Sequence, residues 1–258
     1  MSDAPIAWDP DRYLRFRAER FAPFDDLVAL VDRRAAMSVV DLGCGTGELT
    51  RRLADSLEDA TVVGVDNSPE MLARAAEFAR DGLRFELADL ETFDGEYDLV
   101  ISNAAIHWVA DQAGIVGRLH SMLATGGQLV VQVPANHDHP SHALAREVAE
   151  QPPFAAALSD WRQTPPVLRP QEYATVLWDL GATQVEAFEK VYLHVLDGSD
   201  AIVDWMRGTG LRAYLERLPA GLRDRFMSAY GERVARRYPG SPVLFTFNRT
   251  FFSARMPS

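Results

Sequence analysis

The chain is almost without lysine and cysteine. Lys190 is the only lysine among 26 basic residues, and Cys44 is the only cysteine. A lone cysteine cannot close a disulfide within the chain. With every other basic residue an arginine, no single arginine carries functional weight by its type alone. Positive charge is also short overall, since 26 Lys and Arg stand against 37 Asp and Glu, for a formal net charge of −11. A nucleic-acid binder presents a basic face, and this balance argues against one. It leaves room for a small anionic metabolite held by a few arginines in a pocket. The sequence has no apolar run of membrane-spanning length, no internal repeat and no low-complexity tract. Met1-Ser2-Asp3 opens polar and acidic, unlike a signal peptide. The expectation is a cytoplasmic protein with neither membrane nor nucleic acid as partner.

At 258 residues, 47% of them hydrophobic and 24% charged, the chain suits one large globular domain, or one domain with a sizeable insertion. Its organising stretch is Val39-Val40-Asp41-Leu42-Gly43-Cys44-Gly45-Thr46-Gly47-Glu48. This reads as a buried strand, a turn with glycine at every second position, and a helix start. Such a turn brings backbone close to a ligand. Dinucleotide turns follow G-x-G-x-x-G/A, with a small third residue packing helix on strand. Here the third glycine comes one residue early, and Glu48 would repel a pyrophosphate. No lysine follows, so the phosphate-cradling G-x-x-x-x-G-K-[ST] pattern fails too. The remaining pattern, D-x-G-x-G-x-G after a strand, resembles the first motif of Rossmann-like S-adenosylmethionine-dependent methyltransferases.

Further acids stand at successive strand ends. Thr61-Val62-Val63-Gly64-Val65 ends in Asp66-Asn67-Ser68-Pro69-Glu70-Met71, and Asp66 follows Gly43 at a distance suited to reaching a ribose. Pro69 opens the next helix, and Met71 would lie against adenine. Leu83-Arg84-Phe85-Glu86-Leu87 alternates as a strand and delivers Asp89 and Leu90. Tyr97 to Asn103 is a fourth strand, whose end through His107 and Trp108 should border cofactor and acceptor. That end lacks the [DN]-P-P-[YF] signature of enzymes that methylate amide or base-amino nitrogens. Gln128 to Val133 is the fifth strand. Five strands alternating with helices predict an α/β fold with a doubly wound, mostly parallel sheet.

Beyond Val133 the pattern breaks. His137, His139 and His142 lie close together, yet without H-E-x-x-H or regular i, i+4 spacing, so no metal site is expected. Asn136 or His142 is instead expected to line the acceptor pocket. Gln184 to His194 and Val243 to Ala254 read as the last strands. The helical stretch between them is too long for a hairpin loop and is expected to cap the strand ends. In that stretch Gly208 and Gly210 should interrupt a helix and let Arg212 and Tyr214 turn inward. The expected organisation is one methyltransferase domain over 1–258. It divides into an N-terminal helical lid at 1–32, a cofactor-binding core at 33–133, a helical cap at 134–181 and 199–238, and the last strands at 182–198 and 242–255.

The cap segment Ile202 to Leu215 carries the more specific likeness, together with Tyr13-Leu14-Arg15-Phe16, Ser102 to Trp108 and Phe247-Asn248-Arg249-Thr250-Phe251-Phe252. It resembles the trans-aconitate 2-methyltransferase family over nearly the whole chain. The resemblance implies a seven-stranded class I methyltransferase that esterifies a small polycarboxylate, with S-adenosylmethionine as methyl donor. Asp41, Gly43, Gly45 and Gly47 would receive the amino and carboxylate groups of the cofactor. Asp66 would take its ribose, Met71 and Asp89 its adenine, and Asn67 and Leu90 would also contact the cofactor. Asn103 would border it, with Tyr13 and Arg20 folding over it. Trp108, His142, Arg212, Tyr214 and Arg249 would contact the acceptor. A carboxylate nucleophile is already ionised at neutral pH, so no catalytic base is needed and the residues only position. Two rival readings stay open: a methyltransferase with another small acceptor, for which His107 is the base at hand, and a non-catalytic cofactor-binding protein.

Overall fold

In the computed structural model the residues described are 17–159, 161–162 and 167–257, with 17–20 by backbone only. The expected contributions of Tyr13 and of the Arg20 side chain lie outside them.

Seven strands form one sheet: β1 (Ser38–Leu42), β2 (Thr61–Asp66), β3 (Leu83–Leu87), β4 (Tyr97–Asn103), β5 (Leu123–Pro134), β6 (Thr183–Leu196) and β7 (Val243–Arg255). Their order is β3-β2-β1-β4-β5-β7-β6. The first five are parallel, and β7 runs antiparallel to β5. Parallel strands inside such a sheet are covered by helices on both faces, so β1, β2, β4 and β5 carry apolar runs, while the edge strand β3 alternates. Val39, Val40, Leu42, Val62, Val65, Leu99, Val100, Leu129, Val130 and Val131 are accordingly all buried. At the outer strand β6 the pattern alternates instead, with Tyr192, His194 and Leu196 buried and Val191, Leu193 and Val195 exposed.

Among the described residues the helices are α1 (Arg17–Ala29), α2 (Glu48–Ser56), α3 (Pro69–Ala75), α4 (Gln112–Ser121), α5 (Pro140–Ala149), α6 (Phe154–Leu158), α7 (Pro170–Asp179), α8 (Ser199–Arg207), α9 (Arg212–Arg217) and α10 (Ala220–Arg237). The side chains of Ser68 and Asp111 cap α3 and α4 by accepting from Met71 N and Gly114 N. None of the helices among the described residues is long and apolar enough to cross a membrane.

The chain divides into two compact units. The sheet unit comprises Ala18–Ala135, Pro166–Lys190 and Asn248–Ser258. Its core joins the strands to α4 and α7. The other unit includes Asn136–Pro165 and Val191–Phe247. It has a core of its own, in which Tyr214 stacks on Phe226 at 5.4 Å and Phe154 meets Phe226 edge-on at 5.3 Å. Helix α7, which the sequence placed in the cap, belongs to the sheet unit. Tyr173 stacks on Phe252 of β7 at 4.3 Å and Leu177 joins the same core, so its apolar face is spent on the sheet.

Candidate active site

In a doubly wound sheet, ligands bind beyond the carboxyl ends of the strands where the order reverses. Here that point lies between β1 and β4. The turn after β1 is fixed there by Gly43 N and Cys44 N, which donate to Val65 O at 2.8 and 3.0 Å. Gly43, Gly45 and Gly47 have φ of 79°, 57° and 76°. A Cβ on Gly43 would stand 2.1 Å from Ala105 Cβ, so the loop after β4 closes directly on the turn. A Cβ on Gly45 would meet nothing within 4 Å. The turn is therefore tight on one side and open where Gly45 presents its backbone. Helix α2 follows with Gly47 as its N-cap and no side chain closing its first amides, which leaves donors for a negatively charged group.

Two carboxylates hold this turn. Asp66 accepts from Gly45 N and Ser68 N, each at 2.9 Å, bridging the ends of β1 and β2. Asp41 lies buried beneath the turn and accepts from Thr50 Oγ1 at 2.6 Å. Burial pushes its carboxyl up to about 6; the Thr50 hydrogen bond offsets part of that, and Asp66 adds to it. The thiol of Cys44 is likewise pushed up, by burial and then by the two carboxylates.

Along the edge toward β3, Asn67 Nδ2 reaches Asp89 Oδ2 at 3.4 Å, and Asp89 Oδ1 accepts from Glu91 N at 2.8 Å. Met71 and Leu90 are half-buried beside them in sequence. Each acid keeps further lone pairs for hydroxyl or amino donors.

At the other side of the switch point β4 ends in Asn103, whose Oδ1 is buried without a hydrogen-bond partner. A 3₁₀ turn at Ile106–Trp108 follows. His107 is half-buried, its Nδ1 has no partner, and its ring lies 4.6 Å from Trp108. Burial, then the Arg249 guanidinium, lowers its pKa to about 3. Trp108 is 72% exposed and Arg249 only 9%. Gln112 clamps the turn from α4: its Nε2 donates to Ile106 O and Val109 O at 2.8 and 2.7 Å, while Tyr173 Oη donates to its Oε1 at 2.5 Å.

The remaining expected acceptor residues belong to the other unit. His142 lies against Gly210, where a Cβ would stand 2.7 Å from Nε2. Its pKa falls to about 3 through burial and then the charges of His139, Arg146 and His137. His139 Nδ1 accepts from Ser141 N to cap α5, and the carbonyl of His137 accepts from Arg146. The histidine-rich loop is thus knit by local bonds. Tyr214 does turn inward, edge-on to Trp161 and stacked on Phe226. Arg212 does not; it is exposed and pairs with Glu216 at 2.6 Å. Two residues apart on one helix point to different faces, so α9 cannot turn both inward.

Some residues that shape the site were not singled out from the sequence. Thr50, Gln112 and Tyr173 act in the first turns of their helices, where no motif marks them. Gln132 is an amide within the otherwise apolar run Leu129–Val133, and that interruption was the available signal.

An open glycine cradle, acids with spare lone pairs at successive strand ends and an orphaned amide oxygen on Asn103 fit S-adenosylmethionine, which carries ribose hydroxyls, an adenine amine and an ammonium. Fold and site together define a class I, S-adenosylmethionine-dependent methyltransferase. A methyltransferase domain family matches residues 33–177. Solved structures of the same fold include the YcgJ protein of Bacillus subtilis, at TM-score 0.60 and 16% identity over 92% of this chain and 99% of that one. Another is Haemonchus contortus phosphoethanolamine N-methyltransferase 2 in complex with S-adenosyl-L-methionine, at TM-score 0.56 and 16% identity over 94% of this chain and 53% of that one. Among curated proteins, the trans-aconitate 2-methyltransferase of Deinococcus radiodurans is 42% identical over 98% of this chain and 99% of its own. That of Variovorax paradoxus is 39% identical over 97% and 98%. The chain belongs to the trans-aconitate 2-methyltransferase family.

Proposed function

We propose that the protein transfers the methyl group of S-adenosylmethionine to a carboxylate oxygen of trans-aconitate, forming its monomethyl ester. The observation that carries this reading is the 42% identity, end to end, with the Deinococcus radiodurans protein of that name. The cofactor, when bound, supplies an electrophilic methyl on a sulfonium. On this reading the backbone from Gly43 to Gly47, with Asp41 beneath it, holds the methionine end. Asp66 and Asn67 take the ribose, and Met71, Asp89 and Leu90 the adenine, while Asn103 faces the cofactor from β4. Arg249 pairs a carboxylate of the acceptor through its planar fork, and Trp108 offers it an apolar wall. For His142, Arg212 and Tyr214 the reading rests on family resemblance alone.

No proton need move, because a carboxyl of ordinary pKa is ionised at neutral pH. The enzyme's work is alignment, which supplies up to about 7–11 kcal/mol. An amine acceptor would call for a base, and His107, lowered to about 3, is a poor one at neutral pH. We take the acceptor to be a small anionic metabolite and the setting the cytoplasm, in keeping with a single, buried, unpaired cysteine. Incubation with methyl-labelled cofactor and trans-aconitate should give a base-labile methyl ester. Absence of labelled ester across a panel of small polycarboxylates overturns the assignment.

A further inference from the structure

Gln132 is 1% exposed, and both polar atoms of its amide lack a hydrogen-bond partner. A buried amide with neither donor nor acceptor satisfied is costly, and an apolar residue of the same shape avoids that cost. The strand around it shows what packing alone selects: Leu129, Val130, Val131 and Val133 are all buried. Register places Gln132 opposite Asn103 on β4, whose Oδ1 is also orphaned, and opposite Phe251 on β7. Arg249 stands opposite Pro134, two residues further along β5. Directly paired residues share a sheet face, as do residues two apart on a strand. Asn103, Gln132 and Arg249 therefore line one face at the carboxyl ends of β4 and β5, beside the loop that closes on the glycine turn. Gln132 and Arg249 are diagonal neighbours, about 7–8 Å apart at the backbone, a gap that one carboxyl group between two side-chain ends can span.

We propose that Gln132 is an acceptor-positioning residue whose amide N–H groups donate to the carboxyl group paired by Arg249. This rests on the reading of the acceptor as a polycarboxylate. An amide beside a guanidinium adds a directional donor without a second positive charge. The carboxyl group is thus fixed in rotation as well as in place, and that alignment is what in-line transfer requires.

The test compares Gln132→Met and Gln132→Glu with the wild type, measuring KM and kcat for trans-aconitate, cofactor affinity by calorimetry and thermal unfolding. For Gln132→Met the expected result is a rise in acceptor KM of about tenfold or more. Cofactor affinity should stay within about twofold and the unfolding midpoint should hold or rise. Gln132→Glu should lose more, because it sets a carboxylate against a carboxylate. An unchanged acceptor KM in both variants overturns the proposal, as does a parallel fall in cofactor affinity or a lowered midpoint in Gln132→Met. If the wild type does not turn over trans-aconitate, the acceptor assignment fails instead. The same comparison is then read on whichever polycarboxylate of the panel the wild type esterifies.

Discussion

Gly45 separates ligand binding from folding at a single position. Its φ is left-handed, yet a Cβ there would meet no neighbour within 4 Å. Gly45→Ala should lower stability by only about 1–2 kcal/mol, the cost of the backbone conformation. Cofactor affinity should fall by about tenfold or more, since the methyl enters the open side of the turn. Calorimetric titration beside a denaturant curve checks both. The histidines set the response to acid. In the fold His107 and His142 stay neutral down to about 3, whereas in the unfolded chain they bind protons below about 6.5. Acid thus favours the unfolded state, and stability present above pH 6.5 is lost as pH falls toward 3. Each ring contributes up to about 1.4 kcal/mol per pH unit. Asp41 opposes this in part, because its raised pKa lets the fold keep a proton between about pH 4 and 6. Thermal unfolding of His107→Gln between pH 7 and 4 should show a shallower decline than the wild type. An identical decline would mean that His107 does not set it.

Between β4 and α4, a three-residue turn carries His107 and Trp108 and leans on a side chain from a distant helix. Tyr173 of α7 donates to Gln112, and Gln112 in turn holds the carbonyls of Ile106 and Val109. Tyr173→Phe leaves a buried amide oxygen short of its donor and should cost about 1–3 kcal/mol. It should lower kcat/KM for the acceptor while cofactor affinity stays unchanged, because the glycine turn does not depend on it. Equal loss of both would place the effect on the whole sheet unit. This clamp also marks the limit of what could be read from the sequence. Strands β1, β2, β4 and β5 were legible because double-sided burial leaves apolar runs, and β3, half-buried, because its apolar residues alternate. The alternation of β6 was legible too, since one face of the strand is exposed. Helix α7 was placed in the cap by its position in the chain, and position does not say which core its apolar face is buried against. Arg212 was misdirected for a related reason: glycines ahead of a short helix do not specify which of its faces turns inward. Gln132 interrupts an apolar run, a weak sequence signal, and its missing partners in the fold are what give that signal weight.

The described residues form two cores, and substitutions should respect the division. Phe226 is fully buried in the second of them, against Phe154 and Tyr214. Phe226→Ala should cost about 3–5 kcal/mol. Below its melting temperature the variant should still bind cofactor, because Gly45, Asp66 and Asp89 all belong to the sheet unit; loss of binding would show the cores to be one cooperative block. The sheet unit itself is assembled from three stretches of chain. Its parallel strands are complete by Pro134, yet the strand that covers the open side of β5 pairs Leu129 with Ala254. During synthesis, therefore, the N–H and C=O groups along one edge of β5 emerge long before their partners exist. Such an edge is sticky while it waits. The nascent protein's vulnerable interval is set by ribosome speed through the intervening helices, and it ends only when the last strand docks.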